Sequence, residues 1–257
     1  MPRFAANLTM MFNEWTFLDR FAAAADNGFR AVEYLFPYAE APEAIAERLQ
    51  RHGLTQALFN APPGDWSAGD RGLAALPSRR EEFRASFGMA LAYAAATGVK
   101  RLHVMSGNVD RREVANVAAY EDSLRYACEA GGKAGLDIVI EPINSRDMPG
   151  YFLNHFGFAV EIIERLALPN LKLQYDIYHR QILHGDILKS LENLMPLIGH
   201  IQTASVPGRN EPGKGELNDF RIFDAIDASN YLGFVGCEYR PANGTLAGLG
   251  WMNRAAV

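Results

Sequence analysis

Four side chains with oxygen donors stand at the ends of apolar runs in the second half of the chain. They are Glu141 in IVIEPIN, Asp176 in LQYDIYH, Gln202 in HIQTAS and Glu238 in GCEYRP. A single acid at a strand end is usually a helix N-cap or part of a surface ion pair. Three carboxylates that meet at one place repel one another unless a cation lies among them. Carboxylate and amide oxygens are hard ligands, so the set predicts one divalent ion, Mg²⁺ or Mn²⁺ rather than Zn²⁺.

Three histidines lie in or near strand patterns. His179 follows Asp176 by three residues, just beyond the predicted end of its strand. A lone histidine is most often a surface or loop residue with satisfied ring nitrogens. Because His179 lies beside Asp176, a contact with the substrate is as well supported as that surface or loop role. His103 and His200 each lie inside a strand pattern, and we expect structural roles for both.

The loops supply further candidates for substrate binding. Arg209 and Lys214 lie in the run VPGRNEPGKGELN, where a solvated charge is the usual explanation for either residue. Arg209 is the better candidate because a guanidinium can grip a carboxylate in two places. Trp66 and Arg71 lie in an earlier loop and could close over a site, or could simply pack within that loop.

Short apolar runs alternate with longer amphipathic ones along the whole chain, which indicates strands that alternate with helices. The predicted strands are Phe4 to Leu8, Ala31 to Leu35, Thr55 to Phe59, Lys100 to Met105, Asp137 to Glu141, Leu171 to Asp176, His200 to Thr203 and Phe234 to Tyr239. The predicted helices are Thr16 to Asp26, Pro42 to His52, Ser78 to Thr97, Val114 to Ala134, Phe156 to Ala167, Asp186 to Ile198 and Phe220 to Ser229.

This alternation predicts an α/β fold, a (β/α)8 TIM barrel that forms a single domain over residues 1–257. A doubly wound open sheet is the competing fold, but it usually carries a glycine-rich phosphate turn after the first strand, and ANLTMMFNEW has none. The two long connections, 60–77 and 204–218, both follow strands. They therefore lie on the face where such barrels place their active sites.

Composition excludes several classes of partner. The 257 residues carry a net charge of −5, so the chain offers no basic field for nucleic acid or for an anionic membrane. No run is long and apolar enough to span a bilayer, and the N-terminus lacks a signal-peptide pattern. Two cysteines, Cys128 and Cys237, cannot form a disulfide framework, which favours a reducing cytoplasm. Strand alternation turns Cys237 away from Glu238, so we expect it in the core.

Several longer stretches resemble the hydroxypyruvate isomerase family of the xylose isomerase-like TIM barrel superfamily. The resemblance covers Pro2 to Met252, and the stretches that carry it are RFAANLTMMF, AVEYLFPY, PPGDWSAGDRGLAALPSRREEF, IEPIN, LQYDIYH, VPGRNEPGKGELN, GFVGCEYRP and GLGWM. It implies an isomerase that interconverts hydroxypyruvate and 2-hydroxy-3-oxopropanoate, with a small hydroxy-keto acid as its partner. The sequence leaves open whether the chain assembles as a homo-oligomer.

The resemblance also implies roles for individual residues. Glu141, Asp176, Gln202 and Glu238 match the metal ligands of the family, and the two glutamates match its proton-transferring pair. His179 matches a histidine that contacts the substrate throughout the superfamily. Many superfamily members have histidine in place of Gln202. The chain also ends soon after Trp251, which leaves little sequence for an eighth helix and makes closure of the barrel a point to test.

The chemistry that these roles imply is transfer of a proton between adjacent carbons through an enediolate. A divalent ion stabilises the negative charge of such an anion. A sister group acts on 2-oxo-tetronate, and EPIN and QYDIYH favour hydroxypyruvate over it. A ketose 3-epimerase, a metal-dependent abasic-site nuclease and a non-catalytic sugar-acid binding protein are three competing functions. The nuclease needs a basic groove and many more histidine ligands, and the binding protein would need no pair of glutamates.

Overall fold

Every predicted strand is present in the computed structural model of the chain, which describes residues 1–253. The last residues of the predicted domain, 254–257, lie outside the described range. The strands are β1 (Phe4–Asn7), β2 (Ala31–Tyr34), β3 (Thr55–Asn60), β4 (Arg101–His103), β5 (Asp137–Ile140), β6 (Leu171–Asp176), β7 (Ile198–Thr203) and β8 (Val235–Cys237).

The strands form one closed barrel in sequence order, and neighbouring strands pair in parallel. The first and last strands close it, with Phe4 opposite Val235 and Ala6 opposite Cys237. The predicted (β/α)8 barrel is therefore confirmed, and the open doubly wound sheet is excluded. The short C-terminal segment does not prevent closure.

The helices lie between the strands. They are α1 (Arg20–Asp26), α2 (Pro42–His52), α3 (Arg80–Thr97), α4 (Val114–Lys133), α5 (Phe156–Leu166), α6 (Ile177–Leu183), α7 (Ile187–Leu194), α8 (Asp219–Ala228) and α9 (Thr245–Gly248). The helix predicted over Asp186 to Ile198 is α7 followed by a short 3-10 turn, Met195–Leu197. The apolar periods do not predict two short helices, α6 and α9. No helix within residues 1–253 is long and apolar enough to cross a membrane.

Local sequence signals explain several helix boundaries. Pro42 occupies the first turn of α2, where its missing N–H is no loss. Gly53 ends α2 and Gly98 ends α3, both with left-handed backbone (φ of 62° and 71°) that glycine adopts without strain. After each of these glycines a short connection leads into the next strand of the barrel.

The strand side chains alternate between two environments. One set joins the large apolar core between the barrel and the helices. The other set faces the barrel interior, where Ala5, Ala31 and Ala57 form a separate small cluster. Nearer the carboxyl ends this interior becomes polar, as the buried Asn7 and Glu33 show. Parallel strands therefore present buried polar groups at one mouth of the barrel.

Candidate active site

A cavity of about 1020 Å³ lies at the carboxyl ends of the strands. Asp176 is the last residue of β6, and Glu141 and Glu238 directly follow β5 and β8. Gln202 on β7 stands opposite Asp176 in the strand register. The structure thus brings the four oxygen-bearing side chains singled out from the sequence to the same end of the barrel.

Three of the four carboxylate or amide side chains form a tight group with a histidine. Donor atoms of Glu141, Asp176, His179 and Glu238 all lie within 4.8 Å of one another, and all four residues are buried. Within residues 1–253, Glu141 Oε1 and Asp176 Oδ2 accept no hydrogen bond. Buried oxygens without a partner are costly, and a cation would satisfy both. The group could therefore hold a metal ion.

The buried carboxylates of this group oppose one another's ionisation. Burial raises the pKa of Glu141 well above its ordinary value, and the neighbouring Glu238 and Asp176 raise it further. Burial also raises the pKa of Glu238 to about 8, although the Arg209 guanidinium opposes the shift. The pKa of Asp176 rises to about 6 for the same reason, again against Arg209. Ionising all three carboxylates together requires additional positive charge nearby.

Asp176 also starts a helix. Its Oδ1 accepts a hydrogen bond from the backbone N–H of Tyr178 (2.7 Å), which caps α6. The other oxygen, Oδ2, faces the cluster and lies 3.6 Å from His179 Nε2. An acid at the end of a strand can cap a helix or belong to a site. Asp176 does both, one with each carboxylate oxygen.

His179 lies on α6 and is fully enclosed, whereas a lone histidine after a strand is usually exposed in a loop. Its Nδ1 is held by the side-chain amide of Asn144 (2.6 Å). Its Nε2 faces Asp176 and Glu141. Burial, followed by the charge of Arg209, lowers the pKa of His179 well below its usual value. The ring is therefore neutral. Because Nδ1 accepts from the backbone and side-chain N–H groups of Asn144, Nε2 carries the proton and can donate it to an acidic or substrate oxygen.

The amide of Gln202 is held at both ends. Its Nε2 donates to Glu33 Oε1 (2.8 Å), and its Oε1 accepts a hydrogen bond from Gln174 Nε2 (2.6 Å). An amide oxygen has two lone pairs, so one remains after this bond. Gln202 therefore stands beside the carboxylate group in a fixed orientation, with its oxygen already partly engaged.

Arg209 reaches from the long loop after β7 into the carboxylate group. Its Nη2 lies 2.6 Å from Glu238 Oε2 and 3.6 Å from Asp176 Oδ2, and its Nη1 lies 3.2 Å from Asp147 Oδ2. The guanidinium also stacks over Tyr178, with 4.8 Å to the ring centre. Lys214 in the same loop is exposed. Arg209 thus lies at the carboxylate group, where it contacts protein acids, and Lys214 lies away from it.

Trp66 and Arg71 both line the cavity from the loop after β3. The Arg71 guanidinium lies over the Trp66 ring, 3.9 Å from its centre. Trp66 in turn packs on Phe36, with ring centres 5.2 Å apart. The two residues form a stacked pair at the rim of the site.

Other polar residues of the site do not stand out in the sequence. Glu33 is completely buried and accepts hydrogen bonds from Asn7 and Gln202, and it pairs with His200 at 2.6 Å. An acid in the middle of the apolar run AVEYL is the signal that could have identified it. The expected structural role suits His200, which contacts Glu33 deep in the barrel.

The expected structural role suits His103 less well. Its ring lines the cavity, and its Nε2 lies 3.9 Å from Glu141 Oε2. Neither ring nitrogen has a hydrogen-bond partner within residues 1–253. Burial, together with His200, lowers the pKa of His103 to about 3, so the ring is neutral. His103 is therefore a polar wall of the site rather than part of the core.

Sequence comparison relates the whole chain to named enzymes. A family model described as a xylose isomerase-like TIM barrel matches residues 21–255. A 2-oxo-tetronate isomerase from Cupriavidus necator is 54% identical over 98% of both chains. A hydroxypyruvate isomerase from Escherichia coli is 42% identical over 98% of this chain and 99% of the relative.

Comparison with solved structures finds the same barrel fold. A crystal structure from Brucella melitensis, described as an AP endonuclease of family 2, superimposes with a TM-score of 0.96. It is 46% identical and the match covers 99% of both chains. The chain thus shares its barrel and its full length with these relatives, and it belongs to the xylose isomerase-like TIM barrel family.

Proposed function

We propose that this protein is a metal-dependent isomerase that moves a carbonyl group between adjacent carbons of a short 2-oxo-3-hydroxycarboxylate. The observation that carries the proposal is the buried group of Glu141, Asp176, His179 and Glu238 at the mouth of the barrel. Burial raises the pKa values of all three acids, so their ionisation depends on positive charge that a cation would bring. Relatives at 40% to 54% identity named as isomerases support the same reaction class.

Hydroxypyruvate and 2-oxo-tetronate are the two candidate substrates. Both present a carboxylate, a 2-oxo group and a 3-hydroxyl group, and the tetronate adds one hydroxymethyl group on C3. A cavity of about 1020 Å³ accommodates either acid. The motifs EPIN and QYDIYH favour hydroxypyruvate, whereas the higher identity to the Cupriavidus necator enzyme, 54% against 42%, favours 2-oxo-tetronate. A direct comparison of the two acids is therefore the first assay.

The residues present fit a divalent cation. Glu141, Asp176 and Glu238 would hold it, with Gln202 as the fourth oxygen ligand through its remaining lone pair. Oxygen ligands favour Mg²⁺ or Mn²⁺. When bound, the ion would supply positive charge to the enediolate that forms when the substrate loses a carbon-bound proton. His179, Trp66 and Arg71 complete the proposed site as substrate contacts, and Arg209 holds the carboxylates in place.

Glu141 and Glu238 would carry the protons. One carboxylate oxygen accepts the proton from C3, and a proton is returned to C2, while the 3-hydroxyl proton moves to the former carbonyl oxygen. The product is an isomer of the substrate, so no redox partner is needed. Arg209 would hold Glu238 in place through the contact at 2.6 Å. Neutral His179 would donate its Nε2–H to a substrate oxygen.

The endonuclease name of the Brucella melitensis structure raises abasic-site cleavage as a rival function. A DNA ligand requires a surface that neutralises phosphates. This chain carries a net charge of −5, and its cavity is lined by Glu14, Glu141, Asp147 and Glu238. These charges oppose a polyanionic substrate, and we do not propose nuclease activity.

The decisive experiment follows each acid by NMR in D₂O with Mg²⁺ or Mn²⁺ supplied. We expect isomer formation together with incorporation of deuterium at carbon. Replacement of Glu141 or Glu238 by Gln should lower kcat at least about 100-fold while the fold is retained. A ketose 3-epimerase would leave the carbonyl in place, and a binding protein would show no exchange at all. Either result, or full activity in verified metal-free enzyme, would contradict the proposal.

A further inference from the structure

The proposed substrates bring a carboxylate into a cavity that already contains several acids. Glu141, Asp147 and Glu238 line it, and Asp176 lies directly behind them. A substrate carboxylate among such groups needs a cation of its own, because like charges at short range oppose binding. Arg71, Arg209 and Arg240 line the cavity and carry positive charge.

Arg209 is already engaged. Its guanidinium lies within 4.0 Å of three carboxylates, those of Glu238, Asp176 and Asp147. Its Nε also donates to the backbone oxygen of Glu238 (3.3 Å). These contacts use the donors on every edge of the guanidinium and neutralise its charge. Arg209 therefore holds protein carboxylates in place and has little left for a ligand.

Arg71 is arranged differently. Its Nη1 donates to the backbone oxygens of Trp66 (3.1 Å) and Asp70 (2.6 Å). Its Nε and Nη2 have no hydrogen-bond partner, and no acid pairs with it, within residues 1–253. The Nε and Nη2 groups form one edge of the guanidinium, which matches the two oxygens of a carboxylate. Arg71 thus lines the cavity with this edge free.

The loop that carries Arg71 is held in one conformation. The neighbouring Asp70 pairs with Arg79 (2.6 Å) and accepts a hydrogen bond from the backbone of Asp65, so it does not compete for Arg71. Gly72 forms a bridge to Ser106 with φ of 115°, and a Cβ there would overlap the backbone of Met105. The position of the guanidinium is therefore fixed before a ligand arrives, which lowers the entropic cost of binding.

Arg240 is the other cation on the cavity wall without an acidic partner within the described chain. Its side chain is exposed, and the contacts that hold this residue involve its backbone, which donates to Arg209 O (2.8 Å). Ordering a long free side chain around a ligand costs conformational entropy. Arg71, stacked on Trp66, does not incur that cost to the same extent.

We infer that Arg71 is the anchor for the substrate carboxylate, with Nε and Nη2 donating to its two oxygens beside the Trp66 ring. This inference rests on the proposed function and names the residue that makes the site select an acid over a neutral ketose. Arg209 keeps a separate task, the positioning of Glu238. Arg71 and the Trp66 ring would bind the carboxylate end of the substrate, and the carboxylate cluster would bind its hydroxy-keto end.

The kinetic test compares two substrates that differ only at this end. Dihydroxyacetone is hydroxypyruvate with a hydroxymethyl group in place of the carboxylate. Replacement Arg71→Met should lower kcat/KM for hydroxypyruvate about 100-fold, chiefly through KM, because two charged hydrogen bonds are lost. It should change kcat/KM for dihydroxyacetone less than about threefold, and Arg71→Lys should recover part of the loss. An equal fall for both substrates would mean that Arg71 only supports the loop, and would overturn the inference.

A binding test separates this inference from the proposed reaction. Tartronate, in which one hydroxyl-bearing carbon carries two carboxylates and there is no keto or aldehyde group to isomerise, is titrated calorimetrically into the protein with Mg²⁺ present. Its Kd should rise about 100-fold in Arg71→Met and remain within about threefold in Arg240→Gln. If the wild type binds tartronate in this way but isomerises neither acid, the reaction is wrong and the anchor stands. Unchanged binding in Arg71→Met, or a loss confined to Arg240→Gln, would overturn the anchor.

Discussion

At the scale of single residues, Asp176 links the fold to the site. One of its oxygens caps α6 and the other is left without a hydrogen bond among the acids. An asparagine in its place keeps an oxygen for the cap but removes the charge that a metal ion needs. The substitution Asp176→Asn therefore separates the two roles of this side chain.

We expect Asp176→Asn to abolish most of the stabilisation that a metal gives. A ligand at 100 times its Kd stabilises the native state by about 2.7 kcal/mol, which corresponds to a rise in Tm of about 5 to 10 °C for a chain of this size. Thermal unfolding with and without Mg²⁺ or Mn²⁺ should show this rise in the wild type and lose it in the variant. Without metal, the variant should be at least as stable as the wild type, because a buried repulsion is removed.

The matched control for this measurement is Glu81→Gln, which removes a carboxylate whose side chain is 83% exposed on α3. It should leave both the metal-free Tm and the metal-induced rise unchanged. A metal-induced rise that survives in Asp176→Asn would remove Asp176 from the group of ligands.

The site could be predicted from the sequence only in part. Glu141, Asp176 and Glu238 were identifiable because each ends an apolar run, and the barrel places such ends together. Glu33 was missed although it interrupts the apolar run AVEYL, because one strand alone does not show which face is inside. Its partners Asn7 and His200 are 26 and 167 residues away along the chain, so only the closed barrel shows that they meet.

At the scale of secondary-structure elements, β2 and β8 come together through a glycine. A Cβ at Gly236 on β8 would overlap the Glu33 carboxylate on β2, although the two strands are not neighbours in the barrel. Glycine at this position therefore leaves the interior space that the Glu33 side chain fills. The polar interior of the barrel depends on this close approach as much as on the polar residues themselves.

Replacement Gly236→Ala should destabilise the protein by about 1 to 3 kcal/mol, because the new methyl group displaces Glu33 from its hydrogen bonds with His200 and Gln202. Urea unfolding would measure the change in the free energy of unfolding. Gly88→Ala on α3 is the control, since a Cβ there meets nothing within 4 Å. It should raise stability by up to about 1 kcal/mol through helix propensity. A neutral Gly236→Ala would show that the interior adapts.

The elements themselves were predictable to differing degrees. All eight strands and the longer helices follow from their apolar periods. The helix α6 was missed because it has seven residues and begins directly at the end of β6, with no turn residues between them. Such a segment is too short to show a helical period. It exists because Asp176 caps it and because the barrel buries Ile177, Tyr178 and His179.

At the scale of the whole molecule, the C-terminal segment completes the barrel where an eighth long helix would otherwise lie. Trp251 packs edge-on against Phe4 of β1, with ring centres 4.8 Å apart, and contacts Phe223 of α8. Its Nε1 donates to the hydroxyl group of Tyr239 (3.2 Å). One aromatic side chain thus joins the first strand, the last strand's end and the helix between β7 and β8.

Truncation of this contact should cost substantial stability. We expect Trp251→Ala to lower the free energy of unfolding by about 3 kcal/mol, as for other large aromatic side chains removed from a packed site. Chemical denaturation gives the value. Trp66→Ala removes the same side chain from the cavity rim, where it is 40% exposed, and should cost less than about 1 kcal/mol. Equal losses in the two variants would show that Trp251 has no special part in closure.

The two cysteines can show where the weakened barrel opens. The seam of the barrel is the pairing of β1 with β8. Cys237 lies on β8 at this seam, opposite Ala6 of β1, whereas Cys128 lies on α4, between β4 and β5 in chain order. Both are buried, and burial raises the pKa of Cys128 to about 12 and that of Cys237 well above its usual value, so neither thiol should react in the native wild type. If Trp251 holds the seam shut, Trp251→Ala should speed alkylation of Cys237 more than that of Cys128, as followed by mass spectrometry of the labelled peptides. Equal acceleration at the two sites would mean that the barrel opens only as a whole.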